Sequence, residues 1–384
     1  MDFRFTPEQE AFRTEVKAFL QKALPEPPAI PEDSWILGFD REFSRQLAAR
    51  GWIGLTWPRA YGGQGKSYLD RLILTEELLR HSAPVAAHWL GDRQMGPSIL
   101  RYGTAEQKQR FLPGIISGEL VFCIGMSEPG AGSDLAGLQT KAEEEGDTFV
   151  LNGQKIWTSF AHLADYCYLV ARTNTDVPKH KGISEFLVDM KTPGITVKPI
   201  VDMTGAHHFN EVFFDNVRIP KDCLVGERDR GWYQIASQLD YERSGIERLM
   251  SNYPLMEALT HYVKEHGLNR SEVVRHRLAQ LHVEFTMGKF MVYKVAWLLT
   301  QGKIPNAESA AAKAWCTEFE QRLAQAASEL MGGYGQLMPG SARALLNGRV
   351  ARAYLYAPAY TIQGGTSAIL RNIIAMRGLG LPPG

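Results

Sequence analysis

Two short stretches of this 384-residue chain combine residue types that suit a flat, polar ring. The first runs from Met126 to Asp134 and joins small residues, hydroxyls and two glycines, so that backbone N–H groups can approach an anion or a heteroaromatic edge. The second, Ile156–Ser159, places the Trp157 indole directly before two hydroxyls. This combination suits a hydrogen-bonding ring better than it suits a hydrophobic core. The two stretches together predict a binding site for such a ring.

Other types of site fit the sequence less well. The run Gly130–Leu135 lacks the third glycine of a dinucleotide-binding fingerprint, and Gly332–Gly335 follows a helical pattern instead of a strand. Either glycine cluster alone is best interpreted as a loop. His207 and His208 have no third ligand at metal spacing, so we expect a turn that faces solvent or a site entrance, and no metal. The sequence contains no evident GxSxG elbow, so a hydrolase has little support.

Composition narrows the class of protein further. The 42 basic residues balance the 42 acidic residues, so no overall field attracts nucleic acid or an anionic membrane. No apolar run reaches the roughly 18 residues of a spanning helix, and Met1–Phe5 lacks a signal-peptide pattern. The four cysteines are far apart and form no CxxC pair, which argues against disulfides and zinc. We therefore expect a cytoplasmic protein without a membrane span.

The chain divides into three zones of different periodicity. Residues 1–122 predict helices, with Thr6 and Thr104 each capping a helix. Residues 123–230 predict short strands in a small antiparallel barrel or sandwich, with Asn152-Gly153 as a hairpin turn. Residues 231–384 predict a four-helix bundle, with helices over 232–265, 272–299, 307–331 and 340–356. The fold class is mostly α with a β middle domain.

That order of domains, and a series of motifs along nearly the whole chain, resembles the acyl-CoA dehydrogenase family. The motifs are Trp57–Gly63, Tyr102–Thr104, Leu112-Pro113, Ser127–Asp134, Gly153–Trp157, Phe213–Pro220, Gly332–Gly335, Gly365–Ser367 and Arg371–Ala375. The resemblance implies an N-terminal helical domain, a β-barrel domain and a C-terminal four-helix bundle. It also implies FAD as the cofactor and an acyl-CoA thioester as the substrate.

The resemblance assigns cofactor contacts residue by residue. Ile124, Met126 and Ser127 would lie along the flavin ring, with Ser127 bonding its pyrimidine edge. Trp157 would lie beside the isoalloxazine, with Thr158 adjacent and Ser159 near the reactive nitrogen. In the first loop, Gly132 and Ser133 would also contact the cofactor, and Ser133 would contact the pantetheine or phosphate part of the CoA thioester. Gly332, Gly333, Thr366 and Ser367 would approach the adenosine half of FAD, partly across a subunit boundary.

The catalytic base is not where many relatives have it. Those relatives carry glutamate just before a Gly-Thr pair near the C-terminus, and this chain has Gly364 there. Glycine cannot accept a proton, although its backbone N–H can still hold the thioester oxygen. The isovaleryl-CoA and long-chain branches share this glycine and place the base in a segment similar to Leu239–Arg243. The resemblance thus implies Glu242 as the base.

The residues around Glu242 favour the same assignment. On a predicted helix its neighbours three and four residues away are Gln238, Leu239, Gly245 and Ile246, and none is cationic. For a glutamate judged alone, a solvated or structural role is the more common one, but the absence of another base reverses that order. Arg243 would orient Glu242 or contact substrate. A structural pair between Asp240 and Arg243 is an equal alternative. Glu247, four residues after Arg243, fits an ordinary surface pair with it.

One departure from the family affects assembly. Relatives usually carry an Arg-x-x-Phe-Gly motif that reaches the FAD of a neighbouring subunit, and here Glu272–Arg277 lacks the Phe-Gly pair. Arg275 or Arg277 could substitute, so a homo-oligomer (dimer or tetramer) and a heterotetramer with a sister chain both stay open. The leading hypothesis is formation of a 2,3-enoyl-CoA by an FAD-dependent enzyme, reoxidised by an electron-transfer flavoprotein. The alternatives are a non-catalytic partner subunit and a flavin oxidase.

Overall fold

The computed structural model describes residues 3–24, 26, 28, 32–242 and 245–382, with 237–242 described by their backbone. The chain forms two compact units, each assembled from separated segments. Unit 1 takes its described residues from 1–38, 67–84 and 243–384. Unit 2 consists of 39–66 and 85–242. The predicted domain boundaries near residues 122 and 230 stay predictions.

The described chain is mainly helical around one sheet. Its α-helices are α1 (Pro7–Ala23), α2 (Ser34–Leu37), α3 (Arg41–Ala49), α4 (Tyr68–Arg80), α5 (Ala86–Leu90), α6 (Gly96–Tyr102), α7 (Ala105–Ile116), α8 (Gly231–Glu242), α9 (Glu247–Met250), α10 (Tyr253–Glu265), α11 (Glu272–Thr300), α12 (Asn306–Met331), α13 (Arg349–Tyr360) and α14 (Ser367–Ile373). Its strands are β1 (Phe122–Gly125), β2 (Lys141–Glu145), β3 (Thr148–Lys155), β4 (Tyr166–Arg172), β5 (Ile183–Asp189), β6 (Ile195–Val201), β7 (His207–Pro220) and β8 (Leu224–Val225).

Unit 2 contains the sheet, in the order β6-β7-β3-β2-β4-β5-β8, with β1 added parallel to β4. Most pairs are antiparallel, and the inward side chains form a core that includes Phe149, Phe186 and Phe214. A second cluster, which includes Phe111 and Phe122, joins helices α6 and α7 to β1. The predicted small β domain is confirmed as a mostly antiparallel sheet.

Asn152-Gly153 is not the predicted hairpin turn. Strand β3 continues through it, and its register with β7 shifts between Leu151 and Gly153, which marks a β-bulge. A Cβ atom on Gly153 would lie 2.6 Å from the Thr140 Cα, so glycine is needed for close backbone approach instead of for a turn. The two-residue connection of β2 and β3 is Gly146-Asp147, with Gly146 at φ +56°.

The two predicted helix caps are confirmed. Thr6 accepts from the Gln9 N–H while the Gln9 side chain accepts from the Thr6 N–H, and Thr104 and Gln107 do the same at α7. Each capping box satisfies two backbone donors that a helix leaves free at its first turn. These local signals are reliable because they depend on residues only three positions apart.

Unit 1 is a helical bundle in which α12 packs against α11, α13 and α14, and α11 also packs against α4. The helices predicted over 272–299 and 307–331 correspond closely to α11 and α12. The one predicted over 340–356 begins later, as α13, because Leu346, Asn347 and Gly348 all have positive φ (49°, 55° and 77°). Three successive residues in that conformation cannot belong to a right-handed helix.

The long helix predicted over 232–265 is wrong. Helix α8 ends at Glu242, a short α9 follows, and α10 begins at Tyr253. Pro254 in the first turn of α10 has no N–H to donate, and its ring would clash with the preceding turn of a continuous helix. Gly245 and Ile246 therefore lie beyond the end of the helix that carries Glu242, and they are not its helical neighbours.

Glu247 is also not a surface residue. It is 4% exposed, and its Oε2 has no hydrogen-bond partner among the described residues. Its predicted pairing with Arg243 lies outside the described residues.

The four cysteines are free thiols. Across the described ranges, no helix has both the length and the apolar character needed to span a membrane. Within those same ranges, no group of three or more His, Cys, Asp or Glu side chains is arranged to hold a metal ion.

Candidate functional site

Trp157 has the most unusual conformation of the predicted site residues. It has a left-handed backbone with φ 59°, and the residue is 54% exposed. Its indole packs edge-to-face with the Phe209 ring, and the two ring centroids are 5.6 Å apart. For a bulky residue this backbone conformation is a true outlier that costs of order 1–3 kcal/mol. An exposed indole held at that cost indicates a surface built for an aromatic ligand.

A buried asparagine fixes the segment that carries Trp157. The Asn210 side chain donates to the Thr158 carbonyl at 3.0 Å, and the Thr158 N–H donates to the Asn210 carbonyl at 3.0 Å. The Phe160 N–H donates to the His208 carbonyl at 2.7 Å. These bonds continue the attachment to β7 past the end of β3, so the left-handed Trp157 is overdetermined by its surroundings.

The loop after β1 is held against the same segment. The Ile156 N–H donates to the Ser127 carbonyl at 2.9 Å, and Glu128 and Ala131 exchange two backbone hydrogen bonds of 3.0 Å. Added Cβ atoms at Gly130 and Gly132 would meet nothing within 4 Å, so the loop leaves open space above it. The structure thus brings Met126, Ser127 and Trp157 together within unit 2, as the sequence predicted.

The neighbouring hydroxyls differ in access. Ser159 is half-buried, whereas Thr158 is fully buried and its Oγ1 has no hydrogen-bond partner among the described residues. The Thr158 side chain therefore does not share the exposed surface of Trp157. Ser133 and Gly132 are exposed, and Ile124 is half-buried in β1.

The second group of predicted residues lies in unit 1, in the turn between α13 and α14. Gly364 and Gly365 have φ values of +65° and +94°, which suit glycine and few other residues. The Lys313 ammonium donates to the carbonyls of Tyr360, at 3.1 Å, and Gly365, at 2.7 Å. Thr366 caps α14 by accepting from the Ile369 N–H. The turn is therefore a fixed structure with Gly364 near its middle.

The other unit 1 residues follow α12. Gly332 and Gly333 are exposed, and a Cβ on either would meet nothing within 4 Å, which leaves room for a ligand. The Ser367 Oγ is buried without a hydrogen-bond partner in the described chain. An unpaired buried hydroxyl costs free energy, and a ligand can supply the missing partner.

A buried carboxyl group supports the start of the same turn. Tyr360, the last residue of α13, donates a hydrogen bond from its hydroxyl to the Asp33 carboxylate. Burial raises the pKa of Asp33 from 3.8 to about 7, against the hydrogen bonds from Tyr360 and Ser251. Burial also raises the pKa of Glu32 and of Glu320. The pKa values of all three buried carboxyl groups are therefore shifted upward.

The Asp33 shift predicts a pH-dependent stability. A carboxyl whose folded pKa lies above its unfolded pKa loses its favourable contribution as pH rises from about 4 to about 7. Asp33→Asn keeps the acceptor for Tyr360 but cannot ionise. Relative to the parent, this variant should gain up to about 4 kcal/mol of unfolding free energy between pH 4 and pH 8. Urea unfolding at both pH values measures this gain. The control is Asp147→Asn in an exposed turn, and an equal parent–variant difference at both pH values contradicts the prediction.

The predicted base is placed only by its backbone. Glu242 is the last residue of α8, and Asp240 lies in the same helix. Their side chains, and Arg243 as a whole, lie outside the described residues, so the catalytic assignment stays a proposal.

The histidines and the arginines have structural partners. His207 is exposed at the start of β7, but His208 is buried, so the prediction of two histidines in an open turn is wrong for His208. The alternating pattern of a strand, which turns successive side chains to opposite faces, accounts for the difference. Arg275 donates to the carbonyls of Asn269 and Arg270, and Arg277 pairs with Glu329 at 3.2 Å.

Sequence reasoning gave no role to two residues that organise this site, Asn210 and Lys155. Both are fully buried polar side chains in strands. A polar residue at an inward position of an otherwise apolar strand pattern is the signal that identifies them.

Comparison with known proteins gives the family of the chain. The chain matches three family models, described as the N-terminal, middle and C-terminal domains of acyl-CoA dehydrogenase, at residues 6–119, 123–217 and 229–379. It is 36% identical to acyl-CoA dehydrogenase FadE26 of Mycobacterium tuberculosis, over 100% of this chain and 99% of that protein.

Two solved structures are similar over the full length of both chains. One is described as the Tcur3481-Tcur3483 steroid ACAD, with a TM-score of 0.91 and 32% identity. The other is the ChsE4-ChsE5 complex from Mycobacterium tuberculosis, with a TM-score of 0.87 and 35% identity. The chain belongs to the acyl-CoA dehydrogenase family of FAD-dependent oxidoreductases. The exposed indole and the open glycine loops fit that cofactor.

Proposed function

We propose that this chain catalyses α,β-dehydrogenation of an acyl-CoA thioester, with Glu242 as the base. The observation that carries the proposal is the left-handed, exposed Trp157 beside the Met126–Asp134 loop, which offers a surface for the flavin ring. Bound FAD supplies the hydride acceptor of the reaction. Ser127, Trp157 and Ser159 would hold its ring, while Gly332, Gly333, Thr366 and Ser367 would approach its adenosine half.

Two groups of the chain would act on the substrate. The Glu242 carboxylate removes a proton from the carbon next to the thioester, and an apolar environment would raise its pKa toward the operating pH. The backbone N–H of Gly364 donates to the thioester oxygen as negative charge develops there. The left-handed conformation of Gly364 supports this role, because it sets the direction of that N–H without a side chain. Ser133, Asp240 and Arg243 would contact substrate.

Two features support a proposal for the substrate class. A similar solved structure is described as a steroid ACAD, and position 364 has no side chain where many relatives carry a glutamate. We therefore propose a bulky or branched acyl group. Electron-transfer flavoprotein as the electron acceptor and the three-domain division at residues 122 and 230 belong to the same proposal.

Purified protein tests the proposal directly. It should be yellow, and under anaerobic conditions a bulky acyl-CoA should bleach the flavin faster than straight-chain butyryl-CoA or octanoyl-CoA. Rapid oxygen uptake with the same substrates would indicate an oxidase instead. A protein that binds FAD but is bleached by no acyl-CoA in the panel would contradict catalysis by this chain alone.

A second function, as one subunit of a two-chain enzyme, has its own support. Arg275 and Arg277 lie in the region of the cross-subunit motif, but both contact residues of their own chain. The descriptions of two similar solved structures each name two different proteins, Tcur3481 with Tcur3483 and ChsE4 with ChsE5. The sister chain would then complete the FAD site. Light scattering of the protein with and without FAD tests this proposal. A stable homo-oligomer that is saturated with FAD argues against it.

A further inference from the structure

A buried lysine lies directly beneath the Met126–Ser127 peptide. Lys155 ends β3 and is 0% exposed, and its Nζ donates to the Met126 carbonyl at 3.1 Å and to Glu128 Oε1 at 2.8 Å. A Cβ atom on Gly125 would lie 3.4 Å from the Lys155 Cγ, so the stem of the lysine passes close to that glycine. The dehydrogenation proposed above uses neither charged group.

Glu128 is satisfied on both of its oxygens. Besides Lys155, it accepts from the Thr140 N–H at 2.8 Å and from the Gln139 N–H at 2.6 Å. Burial alone would raise the pKa of Glu128, but Lys155 and these hydrogen bonds lower it below the ordinary value. Burial lowers the pKa of Lys155 to about 8, against the attraction of Glu128. Both groups are therefore charged at neutral pH.

The pair sets the direction of one peptide group. In a trans peptide the N–H points opposite to the carbonyl, so the Ser127 N–H is directed away from the buried ammonium that binds the Met126 carbonyl. The next carbonyl, of Ser127, is held by the Ile156 N–H. A cation on a carbonyl polarises the whole peptide and strengthens its N–H as a donor. The loop therefore presents an oriented, polarised donor on the side away from Lys155.

We propose that Lys155, held by Glu128, is a positioning residue of the flavin site, which orients the Met126–Ser127 peptide and places positive charge behind it. This inference rests on the proposed placement of the flavin ring at Ser127 and Trp157. Reduced flavin carries more negative charge than oxidised flavin. The Lys155–Glu128 pair, called the clamp below, should therefore both tighten FAD binding and raise the reduction potential of the bound flavin.

Three variants test the clamp. Lys155→Met removes the ammonium. Glu128→Gln keeps an acceptor for one of the two backbone N–H groups, because Gln139 and Thr140 donate to different oxygens of Glu128, and it leaves the lysine without its counter-charge, so that the lysine becomes neutral. The double variant removes both charges, which avoids an uncompensated buried charge if Lys155→Met fails to fold. The control is Lys179→Met, because Lys179 pairs with Asp134 of the same loop on the exposed surface, at 2.7 Å.

The measurements are FAD affinity by titration of the apo-protein, midpoint potential by dye equilibration, and thermal unfolding of the apo-protein. Each of the three variants should weaken FAD binding tenfold or more and make the potential more negative, and the double variant should resemble the single ones instead of adding their effects. Lys179→Met should stay within twofold of the parent.

Three results have different meanings. If Glu128→Gln and the double variant fold, and bind FAD with the affinity and potential of the parent, the clamp has no role in the flavin site, even if their melting temperatures fall. If the control and the variants lose affinity equally, the inference is also overturned. If the parent binds FAD but Trp157 variants and clamp variants alike leave affinity unchanged, the proposed placement of the ring fails instead.

Discussion

Glu242→Gln should slow anaerobic bleaching of the bound FAD by acyl-CoA by about 10²- to 10⁴-fold. Glutamine has nearly the shape of glutamate but cannot accept the proton from C2, the carbon next to the thioester. Gly364 offers no second base. FAD content and the affinity for acyl-CoA should stay close to those of the parent, because no flavin contact is removed. Stopped-flow absorbance of the flavin band measures the rate of bleaching.

A matched control separates loss of the base from loss of charge. Glu265→Gln changes an exposed glutamate at the end of α10, 62% exposed at its side chain, and should bleach at the rate of the parent. If Glu242→Gln stays yellow and bleaches as fast as the parent, the assignment of the base is wrong. A protein that bleaches only after a sister chain is added would favour the two-chain function.

Trp157→Gly should separate stability from cofactor binding. Glycine adopts a left-handed backbone without strain, and an indole that is 54% exposed contributes little burial, so unfolding of the apo-protein should not become easier. Without the aromatic surface, the dissociation constant of FAD should rise by about tenfold or more, because ring contacts contribute 0.5–1.5 kcal/mol beyond the area that they bury. Thermal unfolding and FAD titration of the apo-protein measure the two effects.

The control keeps an aromatic ring at the same position. Trp157→Phe retains both the strain and a flat face, so its FAD affinity should lie between those of the parent and the glycine variant. Equal FAD affinity in Trp157→Gly and the parent would show that the indole does not contact the cofactor. A large loss of apo-protein stability in Trp157→Gly would show that the indole holds the local fold together.

The parts of the fold that the sequence predicted correctly depend on local chemistry. The capping boxes at Thr6 and Thr104, and the long helices α11 and α12, follow from residues a few positions apart. The family motifs identified the class of protein and its cofactor. They could do so because a flavin ring needs small residues, hydroxyls and an aromatic side chain close together.

The errors occurred where distant contacts override local patterns. Asn152-Gly153 has the composition of a hairpin turn, but pairing of β3 with β7 and close approach to Thr140 convert it into a bulge. The periodicity around Glu242 continues past the end of α8, so a helical pattern alone could not locate the break. Glu247 looked like a surface residue because its burial depends on packing between segments far apart in sequence.

The candidate site shows the same limit. The sequence predicted Ser127 and Trp157 as site residues, but it could not show that Trp157 is held in a left-handed conformation. It also gave no role to Lys155 and Asn210, because their function lies in hydrogen bonds to the carbonyls of Met126 and Thr158, which no residue pattern reveals. A strand pattern can indicate that such a polar side chain is buried, but only the fold shows which groups it contacts.

Exchange of the substrate's C2 proton with deuterated solvent tests the proposed base most directly. An acyl-CoA analogue with sulfur in place of the third carbon has no hydrogen to lose there, so NMR would report proton removal alone. We expect the FAD-loaded parent to exchange this proton without a sister chain, and Glu242→Gln to exchange it no faster than the solution without enzyme. Exchange by Glu242→Gln at the rate of the parent would contradict Glu242 as the base, and an inactive parent would contradict catalysis by this chain alone.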